Sequence, residues 1–245
     1  MINRYTFFAF LSISLVFGSY VSHFYINLNY GLSDSVEVWA QLGDYAGGLL
    51  NPILSFISLV LLIKSLNLQN QANIDLRNEL KINEKTEKLR SFETHFFNMI
   101  NSQKVAFDSF ELVFTDEVKV SVIAVMAIED QIEEILEDSI NRTHAVTAIE
   151  HLLDKLDDTD RIFSAIRIFY IMVKMVDDKL STENDFSISD RKTHLRTLIN
   201  FTEFSLLRLI MISMQFLDCH PAEYLKHHDE FNEVLNEVGL KYDLY

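Results

Sequence analysis

Residues that break helices or cross-link chains are scarce in this sequence, which has 6 glycines, 2 prolines and 1 cysteine in 245 residues. So few glycines and prolines leave few turns for a many-stranded fold. Apolar residues recur at helical spacing along almost the whole chain. The lone cysteine, Cys219, excludes an internal disulfide framework, and no Cys pair or Cys/His cluster has zinc-ligand spacing. The composition predicts an all-α protein whose soluble part lies in a reducing cytosol.

Basic residues are also scarce: 21 Lys and Arg stand against 36 Asp and Glu, which gives a net charge of −15. Neutralising a phosphate backbone requires a basic surface, so we expect no direct binding to nucleic acid. Hydrophobic residues make up 49% of the chain, and the mean hydropathy is +0.10. This balance is typical of a membrane anchor joined to one soluble domain.

Two long stretches lack charged residues and predict membrane-spanning helices at about 5–26 and 45–64. A cleaved signal peptide is the alternative for the first, but bulky residues continue to Ile26, beyond the usual length of such an apolar core. The intervening loop, 27–44, contains only acidic charges, whereas the segment from Lys64 onward is rich in Lys and Arg. The positive-inside rule therefore predicts a two-helix transmembrane hairpin with both termini cytoplasmic and the loop outside.

Beyond this hairpin, residues 1–66, the sequence predicts a long helical stalk at 67–91 and a cytosolic α-helical domain at 92–245. The stalk lacks Gly and Pro, and its pattern supports either a weak coiled coil or a solvated connecting helix. The cytosolic domain has apolar residues at helical spacing, which predicts helices that face a core. The first of these apolar faces comprises Phe92, Phe96, Phe97, Ile100, Phe107, Phe110 and Phe114.

The outer half of the second span holds the candidate functional residues. Gly43 and Gly47 form a Gly-x-x-x-Gly pair that lets two helices approach closely, and Gly48 extends that surface. Pro52 lacks a backbone N–H and crowds the preceding turn, so we expect a kink there. The carboxamide of Asn51 needs a hydrogen-bond partner inside the bilayer. The candidate residues for membrane packing or hinge motion are Gly43, Asp44, Gly47, Gly48, Asn51 and Pro52.

Two interpretations of these residues stay open. In the first, they only pack the first span tightly against the second. In the second, the kink is a switch whose rearrangement lets several hairpins line a leak across the membrane. Replacing Asn51 or Pro52 by Leu distinguishes the two, because only the switch requires the original residues for activity.

Enzymatic chemistry has weaker support in the sequence. The acidic run 129–138 has carboxylates at i, i+3 and i+4, and His220, His227 and His228 lie close to Asp229. A metal-dependent nuclease is the corresponding alternative, but the chain has no phosphate-binding glycine loop, no Ser/His/Asp spacing and no metal-ligand motif. We therefore expect a solvated helix face, no catalytic residues, and neither a cofactor nor a metal.

Three segments resemble the AbiC-like family of phage abortive infection proteins. The most specific is 41–55, QLGDYAGGLLNPILS, which is followed by an apolar run and Leu68-Gln69. The others are 92–100, FETHFFNMI, and 195–207, LRTLINFTEFSLL. The likeness extends over most of 41–217, although the acidic middle has no family motif.

This resemblance implies antiviral defence, in which an effector stops growth or kills the infected cell before phage matures. It also implies a protein partner from the same defence operon, such as a retron reverse transcriptase with its non-coding RNA. Residues and resemblance together predict an effector that compromises the inner membrane, in contact with lipid and with copies of itself. The alternative is a non-toxic membrane adaptor whose cytosolic helices recruit a partner protein. The family offers no catalytic residues to carry over.

Overall fold

The computed structural model describes residues 4–28, 31, 33–115, 117–139, 141–241, 243 and 245. The chain divides into two compact units, Met1–Ile82 and Asn83–Tyr245. Helices dominate both units, as the sequence predicts. The elements are α1 (Arg4–Tyr20), a π-helical turn (Val21–Asn27), α2 (Val36–Asp108), β1 (Glu111–Phe114), β2 (Glu117–Val120), α3 (Ser121–Asp138), α4 (Arg142–Leu156), α5 (Arg161–Lys179), a 3₁₀ turn (Thr182–Asn184), α6 (Ile188–Phe201), α7 (Phe204–Phe216), α8 (His220–Lys226) and α9 (Asp229–Glu237).

The first unit is a hairpin of α1 and the N-terminal part of α2. Both helices are long and apolar enough to cross a membrane, and the first extends through the π-helical turn to Ile26. At one end of the hairpin the ammonium group of Lys64 lies 5.3 Å from the ring centroid of Tyr5. At the other end the ring centroids of Tyr20 and Tyr45 lie 5.6 Å apart. These contacts align the two apolar stretches side by side, which confirms the predicted two-helix hairpin.

Helix α2 begins earlier than the second predicted span. It starts at Val36, so the second half of the predicted loop 27–44 is helical, while loop positions 29, 30 and 32 lie outside the described residues. The indole N–H of Trp39 donates to the carbonyl of Ser33 at 2.9 Å, which ties the first turn of the helix to the segment before it. Glu37 lies in this first turn, where a carboxylate stabilises the positive end of the helix dipole, and so favours a helix that begins before the apolar stretch.

The predicted stalk, 67–91, is the central part of α2, which continues without interruption to Asp108. Side chains in this stretch are exposed as far as Lys88, and the boundary between the two units falls between Ile82 and Asn83. Lys88 pairs with Glu84 one helical turn away, at 3.0 Å, an arrangement that supports a solvated helix.

The second unit packs the end of α2 and helices α3 to α9 around one apolar core. Helix α7 is its most buried element, with 10 of 13 residues buried, as expected for a core helix rather than a third span. Helices α6 and α7 meet at 114°. Glu203 sits at this bend and caps α7 by accepting hydrogen bonds from the N–H groups of Ser205 and Leu206. The bend folds the apolar faces of both helices onto the same core.

A small antiparallel sheet of β1 and β2 was not part of the all-α prediction. Val113 faces Val118 across the pair, and the burial of β1 alternates, with Leu112 and Phe114 inward. Alternating β-branched and aromatic residues favour strands over a helix here. The tight turn between the strands includes Thr115, whose φ of 49° lies in the left-handed region.

The sheet also corrects the apolar face that the sequence predicts for the first helix of the second unit. Phe97 is 45% exposed, and Phe110 and Phe114 follow the end of α2 at Asp108 instead of continuing it. Asp and Ser at 108 and 109 favour a turn, and the strand-forming residues after them end the helix. The residues that do lie on the buried face of α2 are Phe92, Phe96, Ile100 and Phe107.

Candidate functional site

The two membrane-length helices face each other along a set of residues here called the hairpin interface. Val16 and Ala46 are its most buried members, at 8% and 9% exposed, and the hydroxyl oxygens of Ser19 and Tyr45 lie 3.3 Å apart beside it. Only 6% of each apolar stretch is buried, so most of both surfaces is open to lipid or to other chains. The interface comprises Tyr5, Ala9, Ser12, Ile13, Val16 and Tyr20 on α1, Phe24 in the π-helical turn, and Leu42, Ala46, Gly47, Leu50, Leu54, Ile57 and Val60 on α2.

A second face of α2 is polar, exposed and turned away from the hairpin interface. Its members recur at alternating steps of four and three residues, which keeps them on one side of a helix. At about 100° per residue, this face lies about 135° around the helix axis from the hairpin interface. We call it the polar stripe, and it consists of Asp44, Gly48, Asn51, Ser55 and Ser58.

The predicted site residues divide between these two faces. Asp44, Gly48 and Asn51 belong to the polar stripe, while Gly47 lies at the edge of the hairpin interface. Ser55 and Ser58 were missed by the motif-based prediction, although the four-three spacing that continues from Asn51 would have found them. The stripe thus extends the predicted site further across the apolar stretch.

Two glycines of the predicted site, Gly43 and Gly48, meet no other helix among the described residues of one hairpin. Among the described residues, no heavy atom outside the backbone of α2 lies within 4 Å of the position that a Cβ would occupy at Gly43 or Gly48. At Gly47 the nearest such atom is Nδ2 of Asn51, 3.7 Å away on the same helix. The surface over Gly43 and Gly48 is therefore free for close approach by a neighbouring chain.

Where α2 passes through Pro52, one backbone carbonyl of the stripe loses its usual donor and one side chain makes no hydrogen bond. The helix continues through this proline, which has no N–H to donate to the carbonyl of Gly48. The carboxamide of Asn51 is exposed and makes no hydrogen bond with any residue that the structure describes. Within one helical turn, α2 therefore offers a carbonyl without its usual i+4 donor and an amide that both donates and accepts.

An aromatic cleft of about 740 Å³ opens at the loop end of the hairpin. Rings from both helices line it, so its surface is largely apolar. Such amphipathic rings favour the boundary between hydrocarbon and headgroups. The lining includes Phe17, Tyr20, Phe24, Tyr25, Trp39 and Leu42. The cleft suits an acyl chain better than a polar substrate.

The acidic run of the second unit is mostly a solvated helix face, as predicted. Its carboxylates at 130, 133, 134, 137 and 138 are exposed on α3. Glu129 is the buried exception, because its carboxylate lies 2.8 Å from Arg208 and accepts a hydrogen bond from the hydroxyl of Tyr245 at 2.6 Å. This arrangement is that of a structural ion pair.

The histidines near the C-terminal end of the chain do not converge on one point. Nε2 of His228 lies 2.6 Å from Oδ2 of Asp177, which also accepts a hydrogen bond from the hydroxyl of Tyr224 at 2.6 Å. His220 instead contacts the hydroxyl of Tyr170 at 3.3 Å. Within the described part of the chain, no three His, Cys, Asp or Glu side chains are grouped to hold a metal ion.

The Asp177–His228 contact is an ion pair at the mouth of a shallow surface cleft. Burial lowers the pKa of His228, but the hydrogen bond and negative charge of Asp177 raise this pKa by more. Burial raises the pKa of Asp177, but the hydrogen bonds from His228 and Tyr224 lower it by more. The pair was invisible in the sequence because 51 positions separate its members.

Comparison with known proteins identifies no relative: no family model, no curated protein and no solved structure matches this chain. The resemblance of residues 41–55 to the AbiC-like family thus rests on those residues themselves.

Proposed function

We propose that this chain is a bacterial inner-membrane effector of antiphage defence, whose hairpins assemble through the polar stripe and open a leak. The observation that carries the proposal is the exposure of Asn51 on the face of α2 that its own partner helix does not cover. The defence role comes from the resemblance of residues 41–55 to abortive infection proteins. Both termini lie in the cytoplasm, because the cationic residues flank the apolar stretches on that side.

In the hydrocarbon core of a membrane, association of copies through the polar stripe is favourable. From Asp44 to Ser58 the stripe covers about 21 Å of helix, most of a hydrocarbon core of about 30 Å. An exposed carboxamide in lipid is unfavourable, whereas the carboxamide of a second copy both donates and accepts hydrogen bonds. Gly48 leaves room for the backbones to approach. Copies that bring their stripes together satisfy Asn51 and line a polar path.

The negative charge at the outer end makes this polar path selective for cations. Asp44 heads the stripe at the outer end of the second apolar stretch. In an assembly, these carboxylates form a ring, an arrangement that favours cations. The cytosolic unit holds the assembly in check through a partner encoded nearby, and infection releases it. Loss of membrane potential then stops the growth of the cell.

The test compares Asn51→Leu with the wild-type chain in cells that carry the neighbouring genes. Membrane potential and entry of a membrane-impermeant dye are followed during phage infection. We expect the wild-type chain to depolarise infected cells and Asn51→Leu to abolish this, with equal amounts of both chains in the membrane. Asp44→Asn should retain the leak and reduce its preference for cations, measured as a shift of reversal potential in planar bilayers.

Phe56→Leu is the matched control, because Phe56 is exposed on the same span outside the polar stripe. It should behave like the wild-type chain. If Asn51→Leu retains full depolarisation, the stripe does not form the leak. If an unrelated two-span anchor supports protection equally well, the chain is an adaptor that recruits a partner, and the effector proposal is wrong.

A further inference from the structure

The small sheet of the second unit has a free edge along β2. On its other side β2 pairs with β1, with Val118 opposite Val113. The N–H of Ser121 donates to the carbonyl of Phe110 at 2.7 Å, which continues this register by one more pair. Hydrogen-bonded pairs alternate with non-bonded pairs along an antiparallel ladder. This bond therefore determines which backbone groups of β2 point toward β1 and which point away from it.

By that alternation, Glu117 and Lys119 bond toward β1, while the N–H and C=O groups of Val118 and Val120 point away from it. The C=O of Val120, the N-cap of α3, accepts the first hydrogen bond of that helix. Among the described residues, no backbone group pairs with the N–H and C=O of Val118 or with the N–H of Val120. The outer edge of β2 therefore presents an unused row of hydrogen-bond donors and acceptors.

On one face of the sheet, the side chains along this edge are apolar and exposed. Val118 is 59% exposed, and Val113 and Val120 on the same face of the sheet are exposed as well. The first turns of α3 add Ile123 and Met126 to the exposed apolar surface. Soluble proteins rarely leave such an edge uncovered, because it serves as a template for another strand.

We propose that β2 pairs antiparallel with β2 of a second copy, about a two-fold axis beside Val118. In this register Val118 faces Val118 of the second copy, and Glu117 faces Lys119 of the second copy at both ends. The pairing joins the two sheets into one four-stranded sheet. A contact about a two-fold axis is closed, so it makes a dimer and not a filament.

The charges of Glu117 and Lys119 favour a second copy of β2 as the partner strand, and they favour the register centred on Val118. Directly opposed strand residues of opposite charge stabilise a pair, and like charges destabilise it. The adjacent registers, centred on Glu117 or on Lys119, place two carboxylates or two ammonium groups opposite each other. Glu117 has no ion-pair partner among the described residues, and the ammonium of Lys119 rests 5.3 Å from the ring centroid of Phe114. Both charges are therefore available to a second copy.

The first experiment exchanges these charges in the full chain, with and without Asn51→Leu to remove association through the polar stripe. Dimerisation in detergent micelles is measured by energy transfer between labelled copies. Glu117→Lys and Lys119→Glu should each weaken the dimer at least about tenfold. The double exchange Glu117→Lys/Lys119→Glu, and an equal mixture of the two single variants, should restore it to within about threefold. A double exchange as weak as the single variants overturns the proposal.

The second experiment tests the axis by cross-linking in native membranes. In a Cys219→Ser background, Val118→Cys provides the lone thiol and should give a disulfide dimer on oxidation. Val113→Cys is the control, because three strand spacings of about 4.8 Å separate the two copies of this position, beyond disulfide reach. Equal yields at the two positions, or none at 118, overturn the proposal. Cross-linking at 118 that survives Asn51→Leu shows that this contact is independent of the proposed leak.

Discussion

Arg208 on α7 and Glu129 on α3 form an ion pair inside the second unit, with Nη1 of the guanidinium 2.8 Å from Oε2 of the carboxylate. The side chain of Glu129 is 9% exposed and that of Arg208 is 28% exposed. Tyr245 completes the group by donating its hydroxyl to Oε1 of Glu129 at 2.6 Å. Burial, together with this hydrogen bond, raises the pKa of Tyr245 above its ordinary value.

Removing the cation of this pair should destabilise the second unit. In Arg208→Met the carboxylate of Glu129 stays buried without its counter-charge, and we expect a loss of about 2–3 kcal/mol in the free energy of unfolding. Denaturant unfolding of the full chain in detergent measures it. Glu133→Gln, on the exposed side of the same helix, should change stability by less than about 0.5 kcal/mol. Similar losses in both variants would contradict a structural role for the pair.

The ion pair of Asp177 and His228 predicts how stability depends on pH. The pKa of His228 is raised from its ordinary value of 6.5, so its contribution is full below that pH and is lost as pH rises through the raised pKa. The pKa of Asp177 is lowered from 3.8, so its contribution is full above that value and is lost as pH falls through the lowered pKa. Both contributions are present together between these two ordinary values.

Asp177→Asn should therefore lower the free energy of unfolding most in mildly acidic solution. We expect a loss of about 1–2 kcal/mol near pH 5.5, which shrinks as the pH rises past the raised pKa of His228. Melting temperatures of the full chain between pH 5 and 8 measure this trend. Asp178→Asn changes the exposed carboxylate next to it and should show no such trend. A loss that grows with pH would refute the assignment.

The hairpin interface and the polar stripe should respond differently to added bulk. Ala46→Phe places a ring where the two apolar helices meet, and we expect overpacking to cost about 1–3 kcal/mol. Gly48→Ala adds one methyl group at a position where no described heavy atom outside the backbone of α2 lies within 4 Å, so it should leave the hairpin unchanged. Protease resistance and melting of the detergent-solubilised chain measure both variants. If Gly48→Ala disrupts the hairpin as strongly as Ala46→Phe, the two faces are assigned wrongly.

The two membrane-length helices were predictable because length and hydropathy alone decide whether a helix crosses a bilayer. The same reasoning placed Asp44, Gly48 and Asn51 in the candidate site. It treated them as motifs, however, and so overlooked Ser55 and Ser58, which the period of the helix adds. Residue spacing along the sequence was sufficient to predict the stripe, because all its members lie on one helix.

The sheet and the ion pairs of the second unit were not predictable in the same way. Phe110 and Phe114 continue the helical spacing of the preceding residues, so periodicity extended α2 across a turn and two strands of four residues each. The partners of Glu129 and Asp177 lie 79 and 51 positions away, at 208 and 228. Such pairs depend on how the helices pack, which single-sequence periodicity does not contain.

The turn between β1 and β2 offers a stabilising substitution. Thr115 adopts a φ of 49°, a left-handed conformation that costs a β-branched residue about 1–2 kcal/mol. Glycine adopts this conformation without that cost but loses more backbone entropy on folding, so we expect Thr115→Gly to gain about 0.5–1 kcal/mol overall. Denaturant unfolding measures the gain. Thr115→Val keeps the branched shape and should give none. A loss of stability in Thr115→Gly would mean that the side chain of Thr115 contributes more to the turn than its backbone conformation costs.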